Sequence, residues 1–148
     1  MKRVLATSVL GVCIAACGGK STTAPTPVRT VFATGQTALV APDAQGNAQF
    51  ADVPFTTSAV GTLEATVDWT FPTNTIWVFL ASGSCTVPQF QQCPGPGCQC
   101  QFAVSSMTSA PKPRVLTVPG AAAGNYALII WNLGPREESV NYQLALTR

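Results

Sequence analysis

The chain contains no histidine, which removes the commonest general base and the commonest zinc ligand. Neither a Ser-His-Asp nor a Cys-His arrangement is possible without it. Charge is scarce too, with eight basic and six acidic residues among 148. Glycoside hydrolysis needs two carboxylates across a substrate. Glu64 and Asp68 share one polar strand face and stand about 13 Å apart by strand rise, wider than that geometry allows. Glu137 and Glu138 follow Gly134-Pro135-Arg136 in a turn pattern, where a solvated charge pair is expected. Gly95-Pro96-Gly97 has no strand-to-helix signature around it and makes no phosphate loop. Lys and Arg are not clustered, which excludes a nucleic-acid surface. These absences point to a non-enzymatic protein without a cofactor.

What is present begins at the N-terminus. Met1-Lys2-Arg3 is basic, and Val4 to Ala16 is uncharged and rich in Val, Leu, Ile and Ala. That run suits the hydrophobic part of a signal peptide and falls short of the about 20 residues that span a bilayer. It ends Ile14-Ala15-Ala16-Cys17-Gly18. A large aliphatic residue, two small residues and a cysteine resemble the bacterial lipobox. In that family the cysteine thiol is alkylated with diacylglycerol, the chain is cut before it, and the new amine is acylated. The resemblance implies a signal peptide at residues 1–16, a lipid anchor on Cys17 and a place in the cell envelope. Cys13 lies inside the segment that would be removed. Gly18, rather than the Asp associated with inner-membrane retention, implies the outer membrane where the cell has one. Two or three acyl chains hold stably, at roughly 0.8 kcal/mol per buried methylene.

Removal of residues 1–16 also removes Lys2 and Arg3, so the formal excess of +2 leaves with them and the remainder is neutral. Residues 17–28, rich in Gly, Ser, Thr, Ala and Pro, read as a flexible tether. Residues 29–148 form one domain's worth of chain.

Strand signals dominate that domain. In residues 61–71, Leu63, Ala65, Val67, Trp69 and Phe71 alternate with Thr62, Glu64, Thr66, Asp68 and Thr70. This is the pattern of a half-buried strand with Trp69 in the core. Residues 75–81 and 125–133 are apolar on both faces, as central strands are. Residues 139–147 alternate again, and shorter candidates lie at 101–105 and at 114–118, the latter closed by Pro119-Gly120. Weaker ones occupy 30–39 and 48–56. About seven or eight strands with turns between them predict an all-β, two-sheet antiparallel sandwich.

Residues 59–82, AVGTLEATVDWTFPTNTIWVFLAS, and the later PRVLTVPGAAAGNYALIIWNLGPREESVNYQLALT resemble the bacterial pre-peptidase C-terminal domain. The shared pattern is a Gly-x-Leu strand ending in Asp-Trp, an opposing strand, a Pro-Gly turn, a Gly-x-Tyr strand and a closing Tyr-x-Leu strand, over roughly residues 45–147. The resemblance implies a jelly-roll-like sandwich serving as an accessory domain. Relatives often carry acids after the Asp-Trp strand, and some bind calcium. Here Asn74-Thr75-Ile76-Trp77-Val78 has none, and Asp68 alone falls short of the six to eight oxygens calcium takes. A calcium-dependent accessory domain is therefore a minor alternative.

Cys85, Cys93, Cys98 and Cys100 fall within sixteen residues of an exported chain and read as two disulfides. Three pairings are open; the nested one (Cys85–Cys100 and Cys93–Cys98) is favoured because it would staple adjacent strand ends and close the inner turn at Pro94-Gly95-Pro96-Gly97, and Cys98–Cys100 would close a very small ring. The alternative is a four-thiolate zinc knot, but gaps of seven, four and one residues lack its paired short spacings. The loop between these cysteines is polar and has no apparent core of its own. Trp77 and Trp131, in the doubly apolar strands, and Phe90, on the cystine loop, are the candidate ligand-binding residues. An outward Trp suits a glycan, so a carbohydrate-binding module is the chief alternative to a general binding module, and the partner is a glycan or a protein.

Overall fold

A computed structural model describes residues 25–93, 95–108 and 111–148. The lipobox, Cys17 and most of the tether lie outside them. Eight strands are present: β1 (Arg29–Leu39), β2 (Phe50–Thr57), β3 (Gly61–Trp69), β4 (Ile76–Ser82), β5 (Gln101–Ser106), β6 (Arg114–Ala121), β7 (Gly124–Asn132) and β8 (Glu138–Thr147). They pair as one long antiparallel hairpin rolled onto itself: β1 with β8, β2 with β7, β3 with β6 and β4 with β5. Further pairing of β3 with β8 and of β4 with β7 closes two sheets, ordered β1-β8-β3-β6 and β2-β7-β4-β5. This is a jelly-roll sandwich, the fold class expected from the strand pattern.

The main core lies between the sheets. Leu63, Ala65, Val67 and Trp69 of β3 face Ile76, Val78 and Leu80 of β4 and Leu128 and Ile130 of β7, all buried. Each such Leu, Ile or Val contributes about 1.5–3 kcal/mol on burial. β4 and β7 are the inner strands of their sheet, as their double apolarity suggests. Position within the sheet is not the reason for that apolarity. The outward residues Phe79, Ala81, Ala127 and Ile129 join Cys85, Phe90 and Cys100 in a second buried cluster. The cystine loop therefore does have a core, contrary to the reading of it as coreless, and it builds that core on the outer face of the sheet. Within the loop a single helical turn, α1 (Val87–Phe90), starts at Thr86, whose backbone N–H donates to Gln89 Oε1 at 2.8 Å.

Two ends of elements differ from expectation. β3 stops at Trp69 because the next two amides leave the ladder: Thr70 N donates to Glu138 Oε2 at 2.8 Å and Phe71 N donates to the same carboxylate at 3.2 Å. Glu138 is accordingly no solvated turn residue. It is 1% exposed, whereas Glu137 faces solvent. Its parity with Val140 and Leu144 on β8 places it on the inward face. β6 continues through Pro119-Gly120 to Ala121. It is an edge strand, where a proline costs no interior ladder bond, and Gly120 supplies φ +63°.

A buried amide pair locks one end of the sandwich. Asn132 Nδ2 donates to the carbonyls of Leu39, Val40 and Arg136 at 3.3, 3.0 and 2.8 Å. Its Oδ1 accepts from Asn74 Nδ2 at 3.2 Å and from Gly134 N at 3.1 Å. At the opposite end Val28, at the tether's edge, exchanges backbone hydrogen bonds with Arg148 at 2.7 and 3.1 Å. The chain thus joins the domain at one pole, and the Asn74–Asn132 pair closes the other.

Candidate functional site

Both expected disulfides form, Cys85–Cys100 with Cα atoms 5.1 Å apart and Cys93–Cys98 at 4.6 Å. The outer bond is buried, and the inner one is half-exposed. Together they fold the loop back across the outer face of β4 and β7, and α1 drives Phe90 down onto that face. Phe90, at 5% exposure, packs against Phe79, Phe50 and Trp131 with ring centroids 5.0, 5.2 and 5.5 Å away. Trp77 and Trp131 are cross-strand partners with rings perpendicular at 5.7 Å. Each aromatic pair of this kind adds about 0.5–1.5 kcal/mol beyond burial.

The three aromatic candidates are thus brought together, and none is an isolated surface ring. Trp77 and Trp131 are half-buried, and Phe90 is interior. They line a cleft of about 360 Å³ with Phe79, Phe102, Met107, Cys93 and Ser105. Phe79, Phe102 and Met107 were not singled out from sequence. Phe79 stands two residues after Trp77 and therefore on its face, which was the available signal. Among the described residues of the lining, Ser105 alone carries a hydroxyl. Trp131 Nε1 is shielded from solvent and has no acceptor among the described residues. Gln91, Gln92 and Gln99 of the cystine loop are exposed. Between Asp68 and Lys112 the sequence holds no charged residue, so the cleft and its loop are uncharged throughout.

The one acid on this face is Asp52, which pairs with Ile129 across β2 and β7. Its Oδ1 is shielded and without a donor among the described residues, and burial raises its carboxyl above the ordinary value. The folded state therefore holds that proton more tightly than the unfolded chain does. The associated stability is present in acid and is lost as pH rises through the raised value. Asp52→Asn is expected to raise the melting temperature at neutral pH and to change it little in acid below the carboxylate range. Thermal unfolding of both proteins across that range checks this, and an equal gain at every pH would remove ionisation as the cause.

The outer face of the other sheet is polar. Two rungs, Thr34–Gln143–Thr66 and Gln36–Asn141–Asp68, floor a shallow groove of about 520 Å³. Glu64 is paired with Arg29, and Asp68 lies 3.0 Å from Lys112. Each carboxylate is committed to a cation on a solvated face. Asp43 closes its own turn, accepting from Gln45 N, Asn47 N and Asn47 Nδ2, and the Asn47 side chain leads in lowering its carboxyl below the usual range. Among the described residues no three His, Cys, Asp or Glu side chains stand together as metal ligands, and no helix is long and apolar enough to cross a membrane. In comparison with known proteins, the chain matches no family model and no curated protein.

Proposed function

We propose that the protein is a lipid-anchored, non-enzymatic component of the cell envelope whose sandwich binds a ligand through the aromatic cleft. The observation that carries this reading is the convergence of Trp77, Phe90 and Trp131 on one half-open apolar cleft fixed by two disulfides. A rigid apolar concavity with few polar groups is what small apolar ligands and apolar side chains occupy. The lipobox-like Ile14-Ala15-Ala16-Cys17 supports the anchor, and the rolled strand order supports the likeness to accessory domains of the pre-peptidase C-terminal type.

An apolar guest suits the cleft better than a sugar. Among the described residues of the lining Ser105 alone carries a hydroxyl, and each sugar hydroxyl buried without a partner costs about 1–3 kcal/mol. The test has two arms. Cys17→Ala should move the protein from the detergent phase to the aqueous phase on extraction, and unchanged partitioning would refute the anchor. The neutral dye N-phenyl-1-naphthylamine should bind the wild-type domain saturably, with affinity reduced about tenfold by Trp131→Ala. Absence of saturable binding would sink the cleft as a site.

A further inference from the structure

We propose that the cleft receives an extended, uncharged polypeptide segment that adds as a strand to the free edge of β5 and inserts alternate apolar side chains. This rests on the reading of the cleft as the binding site. Four strands are sheet edges: β1 and β6 in one sheet, β2 and β5 in the other. β1 begins with Arg29, has a register shift between Val31 and Ala33 as β5 has one of its own, and lies in the other sheet, away from the cleft. Two others are guarded in the ways that prevent strand addition. β2 holds Asp52 and Pro54, and β6 holds Arg114 and Pro119. β5, Gln-Phe-Ala-Val-Ser-Ser, has no charge and no proline. Its single irregularity is the shift between Leu80 and Ala81, which leaves Ala103 as the extra residue.

The register connects this edge to the cleft. Ser105 lies opposite Phe79 and Phe102 opposite Ala81, so both face outward with the aromatic cluster. Phe102 and Met107 are 37% and 53% exposed and stand at the mouth. A strand laid along β5 has alternate side chains on this same face, about 7 Å apart, and they enter the cleft beside Phe102 and Met107. Arg114 closes one end of the edge by donating to Ser106 O and Oγ and to Thr108 O. Pairing is thereby directed to the Gln101–Ser105 stretch. A partner charge would find no counter-charge between residues 69 and 111, which selects an uncharged segment.

Other occupants fit less well. Antiparallel pairing of β5 with a second copy reverses the domain, so the two tether poles point in opposite directions, unlike copies anchored in one leaflet. The chain's own segment from Gly18 to Ala24 has no alternating apolar residues, and the domain is joined to it beside Arg148. The Trp77–Trp131 pair lies beside Asn132, at the pole remote from that junction.

The test uses the full chain in detergent and a probe peptide of about ten residues alternating Leu and Thr, with a neutral polyethylene glycol tail. A scrambled peptide of the same composition is the control. Hydrogen exchange of the amides of residues 101–106 should slow by about tenfold with the alternating peptide and not with the scrambled one. Ala103→Lys, at an exposed position, should abolish that protection while leaving dye binding intact. Dye binding without peptide protection, or displacement of dye by both peptides equally, overturns strand addition and leaves the cleft. Protection that grows with protein concentration alone assigns the edge to self-association and also overturns it. Loss of dye binding in the wild type removes the site itself.

Discussion

Replacing Asn132 with alanine is expected to lower the unfolding free energy by about 4 kcal/mol. Asn132 is fully buried, and its amide serves three segments at once. Its Nδ2 supplies the carbonyls at the end of β1 and the carbonyl of Arg136, while its Oδ1 receives Gly134 N and Asn74 Nδ2. Alanine removes both sides and leaves two to three buried groups without partners, at about 1–3 kcal/mol each. Total stability for such a domain is only about 5–15 kcal/mol, so much of the margin disappears. The tightness of the site removes easy relaxation: a Cβ on Gly134 would lie 1.5 Å from Asn74 Oδ1. Urea unfolding checks the expectation, with the midpoint falling and the slope unchanged. A loss below about 1 kcal/mol would show that water replaces the amide there.

Removal of the outer disulfide by the double change Cys85→Ser and Cys100→Ser is expected to cost about 3 kcal/mol, as the bond closes a loop with a sequence separation of 15. The inner bond closes a separation of 5 and should cost about 2 kcal/mol in the same chain-entropy account. The difference is sharpened by what each bond holds. Cys85 and Cys100 are part of the cluster with Phe79, Phe90 and Ile129. Opening that bond loosens the lid over the aromatic face, so dye binding should fall together with stability. Opening the half-exposed Cys93–Cys98 bond should leave the cleft largely formed. Denaturation midpoints and dye titrations on the two double variants separate these outcomes. Equal midpoints for the wild type and the outer-bond variant would mean that the aromatic packing alone holds the loop.

Local patterns carried much of the sandwich. β3 was legible because Leu63, Ala65, Val67 and Trp69 alternate against polar partners, and a half-buried strand allows no other parity. Two disulfides were legible from the cysteine cluster, and spacing disfavoured only the small Cys98–Cys100 ring; the fold chose the nested pairing over the crossed one. Glu138 was misread because its neighbour Glu137 and the preceding Gly-Pro suggested a turn. The deciding feature was its partner amides on Thr70 and Phe71, far away in sequence. The cystine loop was misread for a related reason. A polar, glutamine-rich segment with one Phe shows no core of its own, because that core is supplied by the outer faces of β4 and β7.

The sequence by itself determined the strand alternation, the clustering of four cysteines as two disulfides, the neutrality of the region from Trp69 to Pro111 and the absence of histidine chemistry. These are properties of single residues and short spacings. Only the tertiary structure decided that Trp77, Phe90 and Trp131 share one cleft, that Glu138 and Asn132 are buried locks, and that the cleft lies remote from the tether junction. Each of those depends on contacts between segments far apart in the chain. The physical reason is that a doubly apolar strand records only that both of its faces are covered. What covers the second face is settled by which loop folds back, and here two disulfides and one helical turn bring it there.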